Sequence, residues 1–310
     1  MLLKTSKIFI AGHRGMVGSS IERFLRKEGY DNFVVKTRTE LNLLDTDEVK
    51  KFFLSERPEY VILAAARVGG IQANMAKPAE FMFENLVIQN NTIHASYLAK
   101  VKKYIFLGSS CIYPRECPQP MKEEYLLTGR LESTNEGYAL AKISGLKLLE
   151  FYKKQYGFNS ISLMPCNLYG TNDSFHPEHS HVLSALVKKF SDAKDNDRQV
   201  VEMWGTGIAR REFMHVDDMA RATFVFMKDY SNSEFINIGV GMDVSIKELA
   251  ELIAKEVGYE GEVKWDHTKP DGMLRKCMDV SKMRDFGFEA EISLEQGIKR
   301  TIQEYKTFKY

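Results

Sequence analysis

The chain has 310 residues, 44% of them hydrophobic and 27% charged, with a formal net charge of +1. That is enough for one large domain or two smaller ones. The near-zero charge gives no electrostatic case for nucleic acid, and no apolar run reaches the roughly 20 residues that span a bilayer. The four cysteines (Cys111, Cys117, Cys166, Cys277) lack metal-ligand spacing, so no metal site is expected and they read as free thiols of a reducing compartment. Met1 to Lys7 leaves no room for a signal peptide before the first strand, and a cytoplasmic protein is expected.

Lys7 to Ala11 is a short apolar run that predicts a buried strand. It runs into Gly12-His13-Arg14-Gly15-Met16-Val17-Gly18, and an amphipathic helix is expected from Ser19 to Gly29. Glycines at that spacing let the backbone close on a pyrophosphate at a helix N-terminus. Gly12, Gly15 and Gly18, with Met16 and Val17, are therefore expected to hold a dinucleotide; without a ligand they would form only a tight turn. The second strand, Phe33 to Thr37, ends at Arg38, where an NAD site would usually place Asp or Glu on the ribose 2′-hydroxyl. Arg38 and Arg14 instead offer two guanidiniums to one ribose. That favours a 2′-phosphate, hence NADP over NAD.

Leu41 to Asp45 precedes a helix over Thr46 to Glu56, and Asp45 is expected at the adenine amino group. Tyr60 to Ala66 predicts a strand leading into Arg67-Val68-Gly69-Gly70-Ile71. The helix expected over Pro78 to Leu98 carries several polar residues and reads as an interface or a solvated face. Tyr104 to Gly108 predicts a strand that delivers Ser109-Ser110-Cys111-Ile112-Tyr113-Pro114 at its C-terminal end, where open parallel sheets place their sites. Tyr138 and Lys142, four apart, share one helix face. The Lys charge would lower the Tyr pKa toward neutrality, and Ser109 would donate a hydrogen bond to the same substrate oxygen. Ser160 to Pro165 predicts another strand, from which Cys166-Asn167-Leu168-Tyr169-Gly170 departs.

Beyond Gly170 the pattern changes. Asn172 to Pro177 reads as a loop, and Ser180-His181 caps a helix running to about Ala193. Val200 to Trp204 is a short strand before Gly205-Thr206-Gly207. Arg211-Glu212-Phe213-Met214-His215 returns toward the sheet, followed by a helix to Lys228 and a strand from Phe235 to Gly239. Ser245 caps the helix Ile246 to Val257, with Glu248 at the capping-box position. The expected fold class is α/β, a Rossmann-type doubly wound parallel sheet with a smaller C-terminal α/β substrate lobe. The dinucleotide-binding domain is expected over 1–170, with 212–240 returning to it, and the second lobe over 171–211 and 241–310.

The glycine turn, Ser109 and Tyr138-x-x-x-Lys142 stand in the order of an extended short-chain dehydrogenase/reductase. A more specific resemblance rests on Val68-Gly69-Gly70-Ile71, Gly108 to Pro114, Asn167 to Gly170, Phe175-His176-Pro177, Ser180-His181-Val182, Arg211-Glu212-Phe213 and Lys269-Pro270-Asp271-Gly272. Over nearly its whole length the chain resembles the GDP-L-fucose synthases, the GDP-4-keto-6-deoxymannose 3,5-epimerase/4-reductases. The resemblance implies NADPH-dependent reduction of the C4 ketone of a GDP-linked 4-keto sugar after epimerisation at C3 and C5. It implies Cys111 as the base and His181 as the acid of epimerisation; alone, Cys111 would read as a packing residue and His181 as a helix-start residue. Cofactor contacts are implied for Leu107, Lys142, Pro165, Asn167, Leu168 and His181. Lys189 and Arg211 are implied diphosphate ligands, with Trp204 near the guanine and Asp271 toward the nucleotide or sugar. A homodimer through the Pro78–Leu98 and Tyr138 helices is expected by the same analogy.

Several positions depart from the family's usual residues. Cys166 stands for Thr, Thr171 for Pro, Ser174 for Asn, Ser184 for Pro and Gly137 for Pro, while Ala209-Arg210 replaces Pro and an apolar residue. Reduction without epimerisation, and a different GDP-4-keto sugar such as a heptose, stay open, because inversion is sensitive to placement on the order of 1 Å. A 4,6-dehydratase or 4-epimerase fits less well, since the Asp-Glu pair of dehydratases is Ser110-Cys111 here. A non-catalytic NADP-binding protein of this fold would be expected to have lost the Tyr or the Lys.

Overall fold

The computed structural model describes residues 2–176, 180–232, 234–269 and 271–309; Pro177 and Pro270 of the motifs above lie outside them. The first half contains β1 (Ile8–Ala11), α1 (Met16–Lys27), β2 (Phe33–Val34), α2 (Thr46–Glu56), β3 (Tyr60–Leu63), α3 (Ile71–Ala76), α4 (Pro78–Leu98), β4 (Lys103–Leu107), α5 (Glu136–Tyr156) and β5 (Ser160–Pro165). The second half continues with β6 (Asn167–Tyr169), α6 (Val182–Asp195), β7 (Val200–Trp204), β8 (Arg210–Arg211), β9 (Phe213–His215), α7 (Val216–Asp229) and β10 (Ile236–Ile238). It ends with β11 (Val244–Ser245), α8 (Ile246–Val257), β12 (Glu262–Asp266), β13 (Arg275–Lys276), α9 (Ser281–Asp285) and α10 (Leu294–Lys309).

Six parallel strands form the central sheet in the order β10-β5-β4-β3-β1-β2. Its inner strands are continuous apolar runs, fully buried along β1, β3 and β4, as a parallel sheet covered on both faces requires. α1 packs on α7, and α4 packs on α2 and α5. The chain order reverses between β1 and β3. Such a switch point opens a crevice beyond the strand ends, where ligands of these sheets bind.

Three expected boundaries shift. The first helix begins at Met16 rather than Ser19, so its first turn lies inside the glycine motif. The second strand is only Phe33–Val34, because by Thr37 the chain has turned: the Thr37 N–H and hydroxyl both donate to Glu40. The strand expected to reach Ala66 stops at Leu63, one rung before the Ala64 N–H to Ala11 carbonyl bond where Gly12 turns away.

A second core joins Leu183, Leu186, Val187 and Phe190 of α6 to Val201 and Met203 of β7, Leu249 and Ile253 of α8, and Ile298 and Ile302 of α10. Met278, Val280, Met283 and Phe288, expected in the second lobe, belong instead to the sheet's core. They are tied there by the Met121–Met278 bridge and by Asn237 Nδ2, which donates to the Asp279 carbonyl at 3.0 Å. Among the described residues no helix is long and apolar enough to cross a membrane.

Candidate active site

The glycine turn is shaped by two close approaches. Gly12 has φ +86° and sits against the backbone just beyond β3, where a Cβ would lie 2.7 Å from Ala65 N. A Cβ on Gly18 would lie 2.2 Å from the Gly12 carbonyl oxygen, so α1 can begin directly on the turn only with glycine there. Gly15 is the N-cap of α1 and supplies no side-chain acceptor. The first-turn N–H groups of Met16 and Val17 therefore face outward with the positive end of the helix, which fits a pyrophosphate. His13 Nδ1 is buried in the same turn without a partner. Arg14 and Arg38 are exposed and carry no hydrogen bond or ion pair among the described residues, so both cations are available to a 2′-phosphate. Asp45, expected at the adenine, is the N-cap of α2 and accepts the Glu48 N–H at 2.9 Å; part of its hydrogen-bonding capacity is already used.

β4 ends at Leu107, and Ser109 follows two residues later as the N-cap of a single 3-10 turn over Ser110–Ile112. Ser109 Oγ accepts the Cys111 thiol at 2.9 Å and the Cys111 N–H at 3.3 Å. The same hydroxyl shares a hydrogen bond with Tyr138. Lys142 Nζ lies 5.7 Å from the centre of the Tyr138 ring and donates to the Leu107 carbonyl at 2.9 Å. Leu107, Ser109, Cys111, Tyr138 and Lys142 are thus one cluster at the C-terminal end of β4.

The electrostatics correct one expectation. Burial pushes the Tyr138 phenol well above its ordinary range, aided by the Cys111 thiol, and the Ser109 hydrogen bond only partly opposes it. The phenol is not brought toward neutrality by Lys142, whose ammonium is turned to a backbone carbonyl. Tyr138 therefore holds its proton at neutral pH. Burial also lowers Lys142 to about 8.

At the end of β5, Pro165 pairs with Ile238 of β10, and the Cys166 N–H donates to the Ile238 carbonyl at 2.9 Å. Burial raises the Cys166 thiol far above its usual value, so it is neutral. Asn167 Nδ2 donates to the Glu212 carbonyl at 2.9 Å, and Leu168 packs on the sheet's core. His181 is the N-cap of α6, with an exposed imidazole that makes no cap hydrogen bond. No described hydrogen bond links it to the Ser109 cluster.

The expected substrate residues separate into groups. Arg211 is partly buried on β8 and donates to the Arg210 carbonyl at 2.8 Å; burial lowers its pKa. Trp204 is 62% exposed at the end of β7, so it is not a core aromatic. Beside it, Asp271 accepts the Thr206 N–H and hydroxyl, each at 2.7 Å, and so holds the Gly205-Thr206-Gly207 turn. Lys189, an expected diphosphate ligand, donates to the Glu202 carbonyl on the β7 backbone.

Lys276 is a site residue the sequence reading missed. It pairs in register with Arg211 across β13 and β8. Burial lowers its pKa, opposed in part by Cys111 and reinforced by the like charge of Arg211. Lys276 makes no hydrogen bond or ion pair among the described residues. Two partly buried cations thus stand side by side on neighbouring strands. The only sequence signal was a Lys shortly after Lys269-Pro270-Asp271-Gly272. Asp173 was also missed; it lies in the loop before His181 and accepts a hydrogen bond from Ser184.

Residues 8–239 match the model of the NAD dependent epimerase/dehydratase family. GDP-L-fucose synthase 1 of Arabidopsis thaliana is 53% identical over 302 residues, covering 97% of this chain and 94% of that protein. GDP-L-fucose synthase of Escherichia coli (strain K12) is 50% identical over 310 residues, covering 97% of each. Among solved structures, a GDP-mannoheptose C4 reductase from Campylobacter jejuni with NADP bound superposes with a TM-score of 0.91. It is 42% identical, over 99% of this chain and all of that one. With its glycine turn, its Ser109–Tyr138–Lys142 cluster and these matches, the chain belongs to the NAD-dependent epimerase/dehydratase family, alongside the GDP-L-fucose synthases.

Proposed function

We propose that this protein is an NADP-dependent oxidoreductase that reduces the C4 ketone of a GDP-linked 4-keto-6-deoxy sugar after inverting C3 and C5. The observation that carries the reading is the single hydroxyl of Ser109 shared by Cys111 and Tyr138. Residues of the glycine turn, with Arg14, Arg38, Lys142, Pro165, Asn167 and Leu168, would hold the cofactor. Bound NADPH supplies the hydride for C4. Tyr138, which retains its proton at neutral pH, delivers that proton to the C4 oxygen, and Ser109 donates a second hydrogen bond there.

Epimerisation uses the acidity of the protons beside the ketone. Cys111, as a thiolate, takes the proton from C3 or C5, and the Ser109–Tyr138 pair holds the enolate oxygen. His181 returns a proton to the opposite face. At the nucleotide end, Arg211 and Lys276 form a cationic pair suited to a diphosphate. The exposed Trp204 ring offers a stacking face to the base, with Asp271 on the neighbouring Gly205-Thr206-Gly207 turn. Lys189, whose ammonium has donors to spare beyond its bond to the Glu202 carbonyl, can join that cationic pair.

A second reading, reduction without inversion, is favoured by the likeness to the GDP-mannoheptose C4 reductase and by the departures at Cys166 and Ser184. Under either reading the second core, with α6, α8 and α10, is the nucleotide-sugar lobe. A homodimer would cover the apolar side chains exposed on α4 and α5, among them Phe83, Leu98, Phe151 and Tyr156. Four free thiols suit a cytoplasmic, reducing location.

The test is NADPH oxidation with GDP-4-keto-6-deoxymannose and, in parallel, a GDP-4-keto-heptose. Stoichiometric oxidation with the first supports the main reading; turnover of the heptose alone moves the reading to the second. Failure with both would contradict the assignment.

A further inference from the structure

We propose that Asp173 is a positioning residue for His181, fixing through Ser184 the start of α6 from which the imidazole delivers its proton during epimerisation. The inference rests on the epimerase part of the proposed function.

Asp173 lies in the loop after β6, where its N–H donates to the Gly170 carbonyl at 3.0 Å. One carboxylate oxygen accepts the Ser174 N–H at 2.8 Å, and the other accepts the Ser184 hydroxyl. Ser184 is fully buried in the first turn of α6, three residues after His181, the N-cap of that helix. Residues three apart on a helix are side-by-side neighbours. A carboxylate from a separate loop is therefore fastened within one turn of His181.

Helix capping does not account for this arrangement. A cap would accept a free first-turn N–H, whereas Asp173 takes a side-chain hydroxyl and leaves the cap position to His181, which makes no cap bond. Nor does packing account for it, since burying a carboxylate is costly without compensation. Burial does raise the Asp173 carboxyl; Ser184 and then the charge of His181 oppose the rise. Asp173 makes no hydrogen bond or ion pair with His181 itself among the described residues; it reaches His181 through Ser184 and the first turn of α6. Orienting a proton donor is worth about 10²-fold for a misplacement near 1 Å.

The experiment compares wild type, D173N, S184A and S184T with NADPH and GDP-4-keto-6-deoxymannose in D2O. It follows NADPH oxidation and the deuterium content and configuration of the product by NMR. The inference predicts that D173N keeps NADPH oxidation within a few-fold. Its inverted product should fall about 10²-fold, leaving the unepimerised alcohol to dominate. S184A should show a smaller loss of inversion, and S184T, which restores the hydroxyl, should recover it. Should D173N fail to fold, the S184A and S184T pair carries the test. Wild-type inversion in a folded D173N or, failing that, in S184A would overturn the inference and leave the proposed function standing. A wild-type product without deuterium would overturn the epimerase reading, and the inference with it, while NADPH oxidation kept the reductase reading intact.

Discussion

Cys111 Sγ lies 2.9 Å from Ser109 Oγ, and that hydroxyl also hydrogen-bonds Tyr138. The proposed base of epimerisation and the proposed acid of reduction therefore meet at one oxygen. A substrate carbonyl placed there is polarised for both steps without being moved. That is an economy of preorganised donors rather than of extra groups.

Substituting the acid separates the two halves. Tyr138→Phe should lower kcat for NADPH oxidation by about 10²–10⁴-fold, the usual worth of a positioned proton. Deuterium exchange into the recovered keto sugar should persist at a reduced rate, because Cys111 remains and Ser109 alone holds the enolate oxygen. Steady-state NADPH assays and NMR of unreacted substrate check this. Near-normal reduction in the variant would remove Tyr138 from its role.

Lys142 sets a pH limit. Burial favours its neutral amine and brings its pKa down to about 8. Its charge, which would support a phenolate developing on Tyr138, is present below pH 8 and lost as pH rises through that value. Reduction should accordingly decline above pH 8. Lys142→Arg, which keeps its charge across this range, should flatten that decline at a lower overall rate. A wild-type profile level to pH 10 would contradict the assignment.

Cofactor choice should reside in two exposed cations. Arg14→Ala and Arg38→Ala should each raise KM for NADPH by roughly 10–100-fold, the worth of a hydrogen bond to a charged group. KM for NADH should change little. Equal losses with both cofactors would place these side chains elsewhere.

Glu212 ties together the segments that follow β10 and β13. Its buried carboxylate accepts the N–H groups of Val240, Gly241 and Met278 at 2.6–2.8 Å. Glu212→Ala leaves one buried donor (Met278) and two half-buried ones (Val240, Gly241) without an acceptor and should destabilise the fold by roughly 3 kcal/mol or more. Denaturant titration measures this; a change below about 1 kcal/mol would mean that water or a shifted backbone satisfies them.

Much of the architecture was legible because it is local. The glycine turn, the apolar runs of β1, β3 and β4, and the capping box of Ser245 and Glu248 are each written within a few consecutive residues. Tyr138, Lys142 and Ser109 were legible by spacing, but their electrostatics were not. Sequence shows that a Lys stands one turn from the Tyr; it does not show that the ammonium turns to the Leu107 carbonyl while burial raises the phenol. Lys276 and Arg211 are far apart in the chain and become neighbours only through the pairing of β13 with β8. For the same reason the segment from Met278 to Phe288 was assigned to the wrong core: its partners, Met121 and Asn237, lie far upstream.

The most direct measurement is the fate of the protons beside the ketone. The wild-type protein is incubated with NADPH and GDP-4-keto-6-deoxymannose in D2O, and the product is read by NMR. The account predicts GDP-fucose with deuterium at both C3 and C5, and loss of both labels in Cys111→Ser while NADPH is still consumed. A 6-deoxyhexose reduced at C4, unlabelled and uninverted, from the wild type would contradict it and leave a C4 reductase alone.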